Sequence, residues 1–377
     1  MSQVWIELAV YDHWGPQPHG IPRVAQGIFT ESLRKSGIRY FFYHWGDERL
    51  VAIDDLSYFH DLAAGRKKHD DSFWPEGAPL ASKIQPGDKI FFSGITWYHP
   101  LYFTRVEEVK KAHPGLYVNY LVNDVLPIKR PHFFTEEFGS TVAHYLRLSA
   151  KVVDRYICIS NSTARDVKEV LSPTAETAVI RLGGDIVPPH KSVSERVVDR
   201  PYVLSIGTME IRKNHILLYY AWRLLAQYFG ESCPKLIIVG RPGWLTGDVE
   251  YLLTHDPLVK DLVEIRRDVE NDDLVSLIEN CLFTAFPAIY EGWGLPACES
   301  FYYGKVCVTS NSSSLPEINP FEDLRFDPYE PRQAYEIMKM LIENPGRLKA
   351  FEARIPGEFQ RQTWKQCFDE VYELIIT

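Results

Sequence analysis

Nine short apolar runs rich in β-branched residues, at 4–10, 89–92, 116–122, 156–159, 178–182, 202–206, 235–239, 281–286 and 305–309, alternate with longer stretches of helical spacing. Strands separated by helices in this way lie parallel in a sheet that the helices cover on both faces. The expected fold class is therefore α/β, built from doubly wound, Rossmann-like sheets. One stretch breaks the rhythm: residues 183–201 are polar and rich in Pro and Gly, which marks a domain boundary. A length of 377 residues suits two domains, expected at 1–190 and 200–355 with a last segment at 356–377. Ligands of doubly wound sheets bind at the carboxyl ends of the strands, so two such domains facing a cleft would line it with strand-to-helix loops.

Charge and cysteine usage narrow the function. The formal net charge of −9 excludes an undirected nucleic-acid binder, which needs a cationic field to displace counterions. Any phosphate must be met by a local pocket. No basic-then-apolar start and no apolar window of membrane-spanning length are present, so the expected location is cytoplasmic. The six cysteines, at 158, 233, 281, 298, 307 and 367, lack C-x-x-C spacing and read as reduced core residues.

The segment from Phe286 to Thr309 carries the most chemistry. It leaves an expected strand, turns through Gly292 and Gly294, and enters an expected helix whose first turn contains Pro296 and Glu299 and whose end is Gly304. Glycines ahead of a helix expose backbone N–H groups and the positive end of the helix dipole, a setting for an anion such as a nucleotide diphosphate. Glu291 and Glu299 flank that setting, one before the turn and one inside the helix, facing different parts of a ligand.

This segment resembles the E-G-F/W-G-L-P-x-x-E element of glycosyltransferase family 4. The resemblance implies the GT-B fold of two Rossmann-like domains, with Glu291 at the transferred sugar, the backbone of Gly292, Trp293, Gly294 and Leu295 at sugar and phosphate, and Glu299 at the ribose. A second element, Ser205 to His215, resembles the family's G-T-x-x-x-R-K-N loop: Gly207 and Thr208 approach the donor, and Arg212 and Lys213 grip its diphosphate. Cations before a helix start oppose the helix dipole, which disfavours a purely solvated role. With two cations to stabilise the leaving diphosphate, no cofactor and no metal are expected; the nearest acidic pairs, Asp248 with Glu250 and Asp268 with Glu270, read as loop or helix-start residues.

In the first half the likeness continues. Gly20 and Arg23 match the family's G-I-x-R-V loop near donor phosphate and acceptor, and Asn123-Asp124 stands where the family has H-D, so Asp124 is a candidate at the sugar while Asn123 cannot titrate. Asn161 or Ser162 is expected to cap a helix, and Trp364 lies in a last helix that in such folds crosses back to the first domain. Aromatic groups at 41–45, 97–103 and 133–134 fall in the half expected to take the acceptor, and Lys129-Arg130 hints at a pyrophosphate or membrane-surface contact.

The expected function is a retaining, metal-independent hexosyltransferase of surface-polysaccharide (O-antigen) synthesis. Its donor would be a nucleotide sugar, GDP-mannose first and UDP-hexose or dTDP-rhamnose next, with the base read around 241–244 and 266–268. Its acceptor would be a glycan or polyprenyl-linked glycan, with peripheral contact to the inner membrane surface or other transferases among its partners and nucleic acid excluded. The alternatives are a non-catalytic GT-B partner of another transferase and a sugar-nucleotide epimerase on the same fold; a phosphorylase would need a lysine placed for pyridoxal phosphate, and none is identified.

Overall fold

The computed structural model describes residues 2–8, 20–44, 46–63, 66–67, 70, 75–93, 96–171, 176–186, 198 and 200–377. The chain divides into two compact units, Met1–Gly183 with Thr363–Thr377 and Gly184–Gln362. The division thus falls ahead of the expected 190–200 boundary, and residues 356–362 stay with the second unit. Most of 183–201 lies outside the described residues.

The first unit is an eight-stranded sheet. Its strands are β1 (Val4–Glu7), β2 (Ile38–His44), β3 (Arg49–Ile53), β4 (Ala78–Pro79), β5 (Lys89–Phe92), β6 (Tyr117–Val122), β7 (Arg155–Cys158) and β8 (Glu176–Val179). They are ordered β4-β3-β2-β1-β5-β6-β7-β8, parallel except where β3 pairs with β2 and β4. The aromatic group at 41–45 belongs to this framework: Phe41, Phe42 and Tyr43 are buried in β2, as are Tyr102, Phe103 and Phe133 elsewhere, whereas Tyr98 is exposed. Residue 45 lies outside the described residues. The helix Asn161–Val170 is capped not by Asn161 or Ser162 but by Ser160, whose hydroxyl accepts from the Thr163 amide at 2.9 Å.

The helix Trp364–Ile376 returns to this unit, opened by a Thr363–Gln366 capping box. It packs Trp364 onto Gly27 of the helix Ile21–Ser32, where a Cβ would lie 2.5 Å from the indole, so only glycine leaves room. The Lys35–Asp369 pair at 3.1 Å joins the same two segments.

The second unit is a six-stranded, all-parallel sheet of β9 (Tyr202–Ile206), β10 (Lys235–Val239), β11 (Val263–Arg266), β12 (Thr284–Phe286), β13 (Cys307–Ser310) and β14 (Arg325–Phe326). The order β11-β10-β9-β12-β13-β14 is that of a Rossmann fold, in which successive crossovers run one way from β9 and then the other. Its central strands are apolar along their length, as strands buried on both faces must be: Leu236, Ile237 and Ile238 are fully covered. All six cysteines are buried free thiols. Among the described residues no helix is long and apolar enough to cross a membrane.

Candidate functional site

Strands β9 and β12 are neighbours although not consecutive, so the order reverses between them and the loops that leave their carboxyl ends open a crevice there. Those loops are 207–214 and 287–294, the two elements singled out by sequence. The backbone joins them: the Ile289 amide donates to the Arg212 carbonyl at 2.7 Å, and Arg212 Nη1 to the Tyr290 carbonyl at 3.2 Å. Asn214, in the left-handed region at φ 60°, donates its amide to the carbonyls of Pro287 (3.1 Å) and Pro328 (2.8 Å) and ties both loops to a third.

Within this frame four charged side chains form one cluster. Glu291 Oε2 lies 2.9 Å from Arg212 Nη1, Glu291 Oε1 lies 2.5 Å from Lys213 Nζ, and Arg212 Nη2 reaches Glu210 Oε1 at 2.8 Å. Glu210 and Glu291 are buried, and Lys213 also sits 5.0 Å from the centre of the Phe286 ring. Burial of Glu291 acts to raise its carboxyl pKa, but the charges and hydrogen bonds of Arg212 and Lys213 outweigh that, and the group is held below the usual carboxylate range. It is therefore an ionised, oriented carboxylate.

Serines at the end of β13 and on the loop after it hold the loop that carries Glu291. Ser310, Ser312 and Ser314 donate to the carbonyls of Ala288 (2.6 Å), Ile289 (2.7 Å) and Glu291 (3.0 Å), Ser314 also to that of Trp293 (2.5 Å), and Ser313 accepts from the Glu291 amide at 2.8 Å. Gly294 begins the helix Leu295–Tyr302 at φ 119°, and a Cβ there would lie 2.7 Å from Leu315, so backbone sign and space both demand glycine. Pro296 occupies the first turn as expected, but Glu299 does not: it lies in the second turn, buried at 1 % exposure. Gly304 follows the helix at φ 76°, the left-handed stop expected of it.

Gly207 and Thr208 continue from β9, and the Met209 amide then donates to the Arg241 carbonyl at 2.9 Å, which brings segment 241–244 beside this loop. The acidic pairs considered for a metal are placed as read: Asp248 and Glu250 in the first turn of the helix Gly247–His255, Asp268 on a turn against Arg241 at 2.9 Å, and Glu270 at the cap of the helix Asn271–Asn280.

The remaining candidates belong to the first unit. Asp124 follows β6 and accepts from the Leu126 amide at 3.0 Å; Asn123 beside it is buried; Gly20 caps the helix Ile21–Ser32, where its carbonyl accepts from the Arg23 amide at 3.1 Å. Residues 9–19 of that loop lie outside the described residues. Lys129, half of the Lys129-Arg130 pair, forms ion pairs with Asp166 and, at 2.7 Å, with Glu169.

Sequence reasoning assigned no part to Glu210, Asn214, His215 or the serines. Four serines within five residues after an apolar run were a usable signal, because short hydroxyls in a strand-to-helix loop bond neighbouring backbone. His215 begins the helix His215–Phe229 and is buried; burial first, and the Lys213 charge second, lower its pKa from 6.5 to about 4. A folded value below the unfolded one means that the unfolded chain takes up a proton the folded protein refuses. Its contribution to stability is thus complete above pH 6.5 and lost as pH falls to about 4, in total about 3 kcal/mol. Urea unfolding of the wild type and His215→Gln across that window should show a gap between them that changes by this amount; a constant gap rules the prediction out.

Residues 188–356 match the family model described as glycosyl transferases group 1. The serotype-specific mannosyltransferase WbdA of Escherichia coli is 26% identical over 309 residues, 74% of this chain and 35% of WbdA. The O-antigen chain mannosyltransferase B of Escherichia coli is 30% identical over 166 residues, 44% of this chain and 43% of that protein. The chain therefore spans about a third to under half of the length of these relatives. Among solved structures, HepE of Anabaena in complex with UDP superposes with a TM-score of 0.64 at 14% identity, covering 100% of both chains, a likeness that shows the fold. The chain has the fold of the GT-B glycosyltransferases, its second half matches group 1, and its relatives include O-antigen mannosyltransferases.

Proposed function

We propose that the protein is a retaining, metal-independent glycosyltransferase that moves a hexose from a nucleotide sugar to a glycan or lipid-linked glycan acceptor. The observation that carries this reading is the pairing of an ionised Glu291 with Arg212 and Lys213 where β9 and β12 diverge. Mannosyltransferases among the relatives support GDP-mannose as the first donor to test.

In the proposed reaction the bond from the anomeric carbon to the diphosphate oxygen breaks while the acceptor hydroxyl attacks from the same face. Its proton passes to the departing phosphate oxygen, and the configuration is retained. Arg212 and Lys213 meet the negative charge that develops on the leaving group, a role that works best from groups already in place. Glu291 orients the sugar and stabilises the positive charge on its ring, while the glycine backbone meets sugar and phosphate and Glu299 holds the ribose. The first unit is assigned to the acceptor, with Asp124 as a candidate contact of the transferred sugar and Gly20 and Arg23 near donor phosphate and acceptor.

The test is a thermal-shift screen of GDP-, UDP- and dTDP-sugars with EDTA present. One donor should stabilise the protein, by about 2.7 kcal/mol at a concentration 100 times its Kd. Stabilisation only after a divalent metal is added would overturn metal independence. No stabilisation by any of the three would favour the non-catalytic partner, and inversion of a sugar centre in donor incubated alone would favour an epimerase.

A further inference from the structure

We propose that Glu210 is a positioning residue: it anchors Arg212 through Nη2, so that Nη1 can pass from the Glu291 carboxylate to the diphosphate of an arriving donor. The proposal rests on the glycosyltransferase reading and adds to it a residue with no role so far.

The geometry is that of a fork held at both ends. Arg212 presents Nη2 to Glu210 at 2.8 Å and Nη1 to Glu291 at 2.9 Å. The guanidinium is planar, so fixing one nitrogen sets the direction of the other. Glu210 is itself fixed on the turn that carries the cations, because its carbonyl accepts from the Lys213 amide at 3.0 Å. Its side chain is buried at 3 % exposure, and a carboxylate removed from water needs a cation beside it.

Charge balance explains why an anchor is needed. Two carboxylates face two cations, so the cluster is neutral as it stands, and an incoming diphosphate must compete with Glu291 for both Arg212 and Lys213. Once Glu291 turns to the sugar, the Nη1 end of Arg212 has exchanged one anion for another. An anchor at Nη2 that does not take part in the exchange keeps the fork aimed throughout, which is what preorganised stabilisation of a leaving group requires.

The consequence separates rate from affinity. Glu210→Gln keeps the shape but removes the charge: it loosens the anchor while making the site more positive. With turnover measured as GDP or UDP released from the sugar donor, kcat should fall at least fivefold. The Kd for GDP or UDP, by calorimetry, should weaken by no more than twofold. Glu210→Asp, which keeps the charge, should fall between the wild type and Glu210→Gln. In an Arg212→Gln background, Glu210→Gln should change kcat by less than twofold, because a residue that acts through Arg212 has nothing left to position.

An unchanged kcat in Glu210→Gln overturns the proposal, as does an equal loss with and without Arg212, the mark of a merely structural role. Should Glu210→Gln fail to fold, the same cycle with Glu210→Asp decides by the same criterion. A wild type that binds none of GDP, UDP and dTDP overturns the glycosyltransferase reading itself and this proposal with it, an outcome distinct because it needs no variant.

Discussion

Glu291→Gln should lower kcat by about 100-fold or more, the scale seen when one preorganised electrostatic group is removed from a transition state. Nucleoside diphosphate binding should hold or tighten, because the carboxylate that occupies Arg212 Nη1 and Lys213 Nζ before the donor arrives is gone. Truncation of a contact made equally in ground and transition state would do the reverse, weakening binding while leaving kcat unchanged. The division follows from the double engagement of Glu291, as counter-ion to the cations before binding and as partner of the sugar during the reaction. Steady-state kcat beside calorimetric Kd for GDP or UDP tests it, and a variant that turns over like the wild type removes Glu291 from the mechanism.

The second large effect is on the fold as much as on the donor. Replacing both Arg212 and Lys213 by Ala should abolish donor-dependent stabilisation and also cost about 3–5 kcal/mol, since Glu291 and Glu210 are left as buried carboxylates without cations. A carboxylate stranded in this way has its pKa raised, so it takes up a proton more readily in the folded protein than in the unfolded chain. The sign follows: the stability deficit of the double variant should shrink as pH is lowered from 7 towards 5 and grow again as pH rises. Adding Glu291→Gln should restore part of the loss at neutral pH, because the uncompensated charge is then absent. Urea unfolding of the wild type, the double variant and the triple variant across that range measures all three expectations. A deficit that neither depends on pH nor yields to Glu291→Gln would mean that the cluster does not hold the loops together.

Both predictions concern residues that sequence pattern alone brought forward, because a long, ordered motif specifies local backbone. Gly294 at positive φ, Pro296 in the first turn and Gly304 at the stop follow from chain stereochemistry that neighbouring residues impose on one another. The parallel sheets were legible for the same reason: runs such as 235–239 are apolar throughout, which only burial on both faces explains. Where the local signal was divided, the reading missed. Glu299 was placed one turn early because helix starts shift by a residue or two in any sequence-based reading.

Composition and spacing along the chain determined the fold class and the two domains, and the resemblance of two contiguous segments to glycosyltransferase motifs marked Arg212, Lys213, Glu291 and Glu299 as the residues to watch. Tertiary structure alone decided that the first three are one cluster, that Glu210 completes it, and that four serines at and after the end of β13 hold the Glu291 loop in place. Apart from the local Glu210–Arg212 pair, those contacts join residues 22 to 79 positions apart, as Glu291 to Ser313 and Arg212 to Glu291 illustrate, and they exist because β9, β12 and β13 pair side by side in the sheet. A hydrogen bond or an ion pair depends on distances of a few ångströms, and only the folded sheet sets them between distant segments.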